Sequence, residues 1–85
     1  MTNFQVIWQS RPWDRLHEIA NCSANPAAVA NAYDTINQSL GNDPHRNGMP
    51  LSAGLFRFDA RPMRVFYSID SPRRRVIIRH VIELP

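Results

Sequence analysis

An 85-residue chain with 44% hydrophobic and 20% charged residues can build one small core and is too apolar for wholesale disorder, so a single domain over residues 1–85 is expected. No apolar run approaches the roughly 18 residues that span a bilayer, and the first residues lack the basic-then-apolar pattern of a signal peptide, so no membrane partner and a cytoplasmic location are expected. Cys22 is the only cysteine, which excludes an internal disulfide and a cysteine zinc cluster; no cofactor or metal is expected.

Residues 4–8 (Phe-Gln-Val-Ile-Trp) form a β-branched and aromatic run that reads as a strand. Ser10 then offers an N-cap, and Trp13, Leu16 and Ala20 share one helical face, which predicts a helix over residues 11–21. Asn25-Pro26 is a second start signal. Val29, Ala32, Tyr33, Ile36 and Leu40 recur at helical spacing, and Gly41 is placed as the stop, which predicts a helix over 26–40. The short connection makes the two an antiparallel hairpin.

Residues 41–50 are rich in turn formers and read as a loop. From Leu51 the period changes from 3.6 to 2, and residues 51–58, 63–69 and 75–84 read as three strands. Turns are placed at 59–62 and 70–73, giving an antiparallel meander. The expected fold is α+β, in the order β-α-α-β-β-β, with the helical hairpin on one face of a small, mainly antiparallel sheet. Tyr33, Ile36, Leu40, Val65, Ile78 and Ile82 are expected to be buried together.

All ten basic residues are arginine. Residues 1–50 carry a net −1 and residues 51–85 a net +4, so the C-terminal half is a surface for an anion, either phosphate or an acidic protein. Solvated surface charge is the plainer alternative. Strand alternation sends Val76, Ile78, His80, Ile82 and Leu84 to one face, and Arg75, Ile77, Arg79, Val81 and Glu83 to the other. Arg57, Arg64, Arg75 and Arg79 then lie on the open face, with Phe66 between Arg64 and Ser68. His80 reads as a packed core residue, His17 as a helix-edge residue, His45 as part of an exposed loop and Cys22 as a small buried apolar side chain. The other aromatic residues read as core.

In these residues the chain resembles the RelE/ParE superfamily of type II toxins. The resemblance rests on the opening strand, the helical hairpin and the loop His45-Arg-Asn-Gly-Met-Pro50. Its strongest part is Arg64-Val-Phe-Tyr67-Ser-Ile-Asp70 followed by Arg75-Val-Ile-Ile-Arg-His-Val81. It implies a toxin partnered by an acidic antitoxin protein, which acts as a metal-independent endoribonuclease on messenger RNA at the ribosome. Arg64 matches the family arginine near the scissile phosphate, and Arg57 a basic position on the preceding strand; the second basic position there falls on Leu55. The segment that follows the last strand in the ribonuclease members has no counterpart in this sequence, and nuclease activity is expected to be weak or lacking without it.

Two alternatives therefore stay open: a catalytically silent RelE-like domain that binds an acidic protein or RNA, and a ParE-type inhibitor of DNA gyrase. The arginines supply only positive charge, because their pKa is too high for proton exchange. Arg64 is expected to keep a free guanidinium, with Arg57 and Arg79 in reach of the same anion, and Tyr67 to pack inward.

Overall fold

The structure is a computed structural model and describes residues 3–85. The chain is α+β. Strand β1 (Gln5–Trp8) leads into helices α1 (Ser10–Cys22) and α2 (Pro26–Asn42). A short helix α3 (Pro44–Asn47) precedes β2 (Met49–Ser52), β3 (Leu55–Ala60), β4 (Met63–Asp70) and β5 (Arg75–Glu83).

The helices form where their end signals stand. The Asn25 side chain accepts the Ala28 N–H at 3.2 Å, and Pro26 occupies the first turn of α2. Two details differ from the sequence reading. Ser10 lies inside α1, whose N-cap is Gln9, without a side-chain bond. Gly41 does not end α2; the helix continues to Asn42, and the Gly41 carbonyl accepts the Phe4 N–H at 2.7 Å, tying the helix end to the start of the sheet. Residues 43–47, read as loop, are capped by Asp43, whose carboxylate accepts the Arg46 N–H at 3.3 Å.

The sheet order is β1-β5-β4-β3-β2. Neighbours are antiparallel except β1, which runs parallel to β5 in the register Gln5↔Arg75 to Trp8↔Ile78. The run 51–58, expected as one strand, is split into a hairpin at Ala53-Gly54, where Gly54 has φ +77° and Ser52 pairs with Leu55. The expected turn at 59–62 is tighter: β3 runs through Asp59 to Ala60, and only Arg61 and Pro62 turn.

The core lies between α1, α2 and one face of the sheet. It joins Leu16, Ile19, Val29, Ala32, Ile36 and Leu40 to Met63, Val65, Tyr67, Val76, Ile78 and Val81. Ile36, Leu40, Val65 and Ile78 are fully buried, as expected. Tyr33 is only partly buried, against Trp8 and Trp13 with ring centroids 5.4 and 6.0 Å away.

Ile82 is 38% exposed, which corrects its placement in the core. The cause is a β-bulge. Tyr67 pairs with Ile78 but Phe66 pairs with His80, so Arg79 is an extra residue in β5 and the alternation slips by one. Beyond the bulge Val81 turns inward, while His80 and Ile82 turn outward. His80 is thus an exposed residue of the open face and not a core residue. Cys22, expected buried, is also exposed.

Candidate functional site

The open face is ordered by its cross-strand register. One row runs Met49–Arg57–Phe66–His80 across β2, β3, β4 and β5, and the next runs Asp59–Arg64–Ile82. Such pairs have Cβ atoms about 5 Å apart. Arg57 and Arg64 are thereby neighbours, as read from the sequence, and Phe66 stands between Arg57 and His80. The rings of Phe66 and His80 meet edge-on, with centroids 6.3 Å apart.

Arg64 does not present a free guanidinium. Its Nε and Nη2 donate to the two carboxylate oxygens of Asp59 at 2.7 and 2.9 Å, a fork-to-fork pair across the β3–β4 ladder. Arg57 Nε lies 3.9 Å from the same carboxylate. The Arg64 hydrogen bond above all holds the Asp59 carboxyl below its ordinary range; burial opposes it, and the charges of Arg64, Arg57 and Arg61 reinforce it. Arg57, Asp59 and Arg64 therefore form one cluster of net +1 in which the carboxylate stays ionised.

The remaining arginines are spread along the face. Arg79, at the bulge, donates from Nε to Ser68 Oγ at 3.0 Å. Ser68 is four residues along β4 from Arg64, about 13 Å at strand rise, so Arg79 does not share an anion site with Arg64. Arg75 pairs with Asp70 on one side and Gln5 on the other, six residues from Arg64 along the sheet, about 20 Å. Between the Arg57 cluster and Arg79 lies an open hollow of about 480 Å³ lined by Leu51, Leu55, Phe66, Arg79 and His80.

The other two histidines stand elsewhere. His45 is on the helix side of the sheet, between the rings of Phe4 and Phe56, with Nε2 3.3 Å from Ser71 Oγ. His17 is on α1 against Trp13. His80 is therefore the one histidine on the open face. Strict alternation sends it inward, and no apolar pattern marks the bulge. Tyr67 packs inward as expected; its hydroxyl donates to the Pro44 carbonyl at 2.7 Å, and burial, followed by the Asp43 charge, pushes its pKa up to about 12. Among the described residues no cluster of three His, Cys, Asp or Glu side chains gathers to hold a metal ion, and no helix is long and apolar enough to cross a membrane.

A scan against protein-family models finds no match, and a search of curated proteins finds none either. Solved structures do match. The chain is similar to a chain of the RelBE2 toxin–antitoxin complex from Mycobacterium tuberculosis, with 26% identity, TM-score 0.81, and coverage of 98% of this chain and 93% of that one. It is similar to a chain of the archaeal RelE–RelB complex from Pyrococcus horikoshii, with 15% identity, TM-score 0.70, and coverage of 98% and 96%. It also resembles the YoeB/ParE toxin from Agrobacterium tumefaciens, with 14% identity, TM-score 0.72, and coverage of 96% and 100%. These likenesses, over nearly the full length of both chains in each pair, give this chain the RelE/ParE-like toxin fold.

Proposed function

We propose that the chain is the toxin of a type II toxin–antitoxin pair, acting in the cytoplasm, and that its open face binds messenger RNA on the ribosome and cuts it without a metal. The observation that supports this reading best is the row Arg57–Phe66–His80 beside Arg64, which gathers two cations, a stacking ring and an imidazole on one exposed surface. In such a cleavage the RNA 2′-hydroxyl attacks the adjacent phosphorus, its proton passes to a base, the bond from phosphorus to the 5′-oxygen breaks, and that oxygen takes up a proton. Arg57 and Arg64 stabilise the doubly charged phosphorane, with Arg64 exchanging Asp59 for the phosphate. His80 is the proton-transfer group, being of the residue type that both takes and gives a proton near neutral pH. Arg75, Arg79 and Phe66 hold the flanking nucleotides. The partner is an acidic antitoxin segment that covers this face; in support of a partner, two of the similar structures are a toxin–antitoxin complex and a RelE–RelB complex.

Expression in a bacterial host should arrest growth and cut ribosome-bound message, and Arg64→Ala and His80→Ala should each abolish both while leaving the melting temperature nearly unchanged. Cleavage that survives both substitutions would sink the assignment of the site. A second reading is favoured by the fork already filled by Asp59: a silent RelE-like domain that binds an acidic protein or RNA, or a ParE-type gyrase inhibitor. No cleavage with or without ribosomes, together with binding of an acidic partner, supports the silent domain; loss of gyrase supercoiling at stoichiometric protein supports the inhibitor.

A further inference from the structure

The geometry points to a nucleobase pocket: the hollow lined by Leu51, Leu55, Phe66, Arg79 and His80 takes one unstacked base of single-stranded RNA while the arginines beside it hold the backbone. The inference rests on the reading of the open face as an RNA surface, and it adds a specific ligand group and two residues, Leu51 and Leu55, that supply no charge or chemistry to that face.

The hollow is built from the β2–β3 hairpin and strands β4 and β5. Leu51 belongs to β2 and Leu55 to β3, on either side of the Ala53-Gly54 turn, and the split of the expected strand into this hairpin is what brings both beside Phe66. At about 480 Å³ the hollow falls within the roughly 300–1,000 Å³ of small-molecule sites. Leu51 is 45% exposed, on a face with no helix over it, so an occupant would remove apolar surface from water there. Two of the walls are rings set at 62° to each other, Phe66 and His80. A flat aromatic ligand can stack on one and meet the edge of the other.

Charge favours a base over an apolar side chain of a neutral protein, and the paired rings favour a flat aromatic group over an aliphatic one. The hollow is flanked by cations on both sides. Arg57 is the cross-strand neighbour of Phe66, and Arg79, which lines the hollow, donates from Nε to Ser68 Oγ. The nearby carboxylate, Asp59, is already taken up by Arg64. An apolar group that arrives with a phosphate on each side, as a nucleobase does, matches that arrangement.

The test uses a hexaribonucleotide of uridines with one central 2-aminopurine, 2′-O-methylated throughout to prevent cleavage, and the same strand with an abasic site at that position. The wild-type protein should quench the 2-aminopurine fluorescence and bind the abasic strand about tenfold more weakly, the scale of one base–aromatic stack. Phe66→Ala and Leu55→Ser should weaken the intact strand about tenfold and leave the abasic strand unchanged. Phe66→Leu, which keeps apolar volume, should lose the quenching and guards against a folding defect. Equal affinity for intact and abasic strands would overturn the pocket while leaving the RNA surface standing. If neither strand binds, the RNA surface itself fails. An acidic leucine-bearing peptide whose binding depends on Phe66 when that of RNA does not would assign the hollow to a protein instead.

Discussion

Asp59 sets the resting state of the most suggestive arginine on the molecule. Its carboxylate occupies the fork of Arg64 with the geometry that a phosphate would need, so any anion must first displace it. Asp59→Asn keeps the shape and removes the competing charge. The affinity for a short RNA, measured by fluorescence anisotropy, should rise by up to about fivefold, the range of a partly exposed ion pair; a fall would mean that Asp59 orients Arg64 for the ligand. The pair also has a definite pH window. Because the folded carboxyl titrates below its ordinary range, its contribution is present above that range and is lost as pH falls through the lowered value. A carboxylate NMR titration should therefore show Asp59 still ionised at pH values where an ordinary aspartate is protonated.

Tyr67 behaves in the opposite sense. It has no exposed surface, its hydroxyl donates to Pro44, and a Cβ on Gly48 would overlap that hydroxyl. Its folded pKa is raised from 10.0 to about 12, so its contribution is complete below pH 10 and is lost as pH climbs from there towards about 12. Tyr67→Phe leaves the Pro44 carbonyl without its donor and should cost about 1–2 kcal/mol. Gly48→Ala, which forces the ring or the β2 approach to move, should cost more. Thermal melts of the two variants check the order, and a milder effect for Gly48→Ala would contradict the packing described.

At the scale of elements, the bulge decides which residues meet. Deleting Arg79 removes the extra residue and leaves Phe66 opposite His80 and Tyr67 opposite Ile78 in a regular ladder. That variant should fold with a melting temperature within about 5 °C of the parent, lose the bond to Ser68, and keep His80 outward. Deleting Ile77 instead reverses Val76 against Ile78 and should abolish the cooperative transition. The bulge also explains what the sequence could not reveal. The helices were legible because Asn25, Pro26 and the 3.6 period each mark them independently. Up to Ile78 the last strand was legible from alternation, but hydropathy carries no mark of one extra residue, and Arg79-His80 reads the same either way. The hairpin at Ala53-Gly54 was missed because Leu51 and Leu55 flank it like one continuous apolar run. Asp59 precedes Ala-Arg-Pro and so carries a turn signal in the sequence, which masks its cross-strand pairing with Arg64.

Over the whole molecule, the excess of arginine in the second half was a sound guide to one surface, since β3, β4 and β5 all come from that half. It was a poor guide to a single site, because Arg75 and Arg79 are spaced along the sheet away from Arg57 and Arg64. The sheet order has a consequence in time. Its first strand, β1, pairs only with its last, β5, some 70 residues later in the chain. β5 also supplies His80 and Arg79. While the protein is being made, β1 must therefore wait beside α1 and α2 without a partner, and β4 without one of its neighbours, until β5 leaves the ribosome. A nascent chain stalled before Arg75 should be protease-sensitive throughout and carry no assembled arginine face. The open face is therefore completed late, once β5 has been made, so a partner already present can meet it as it forms.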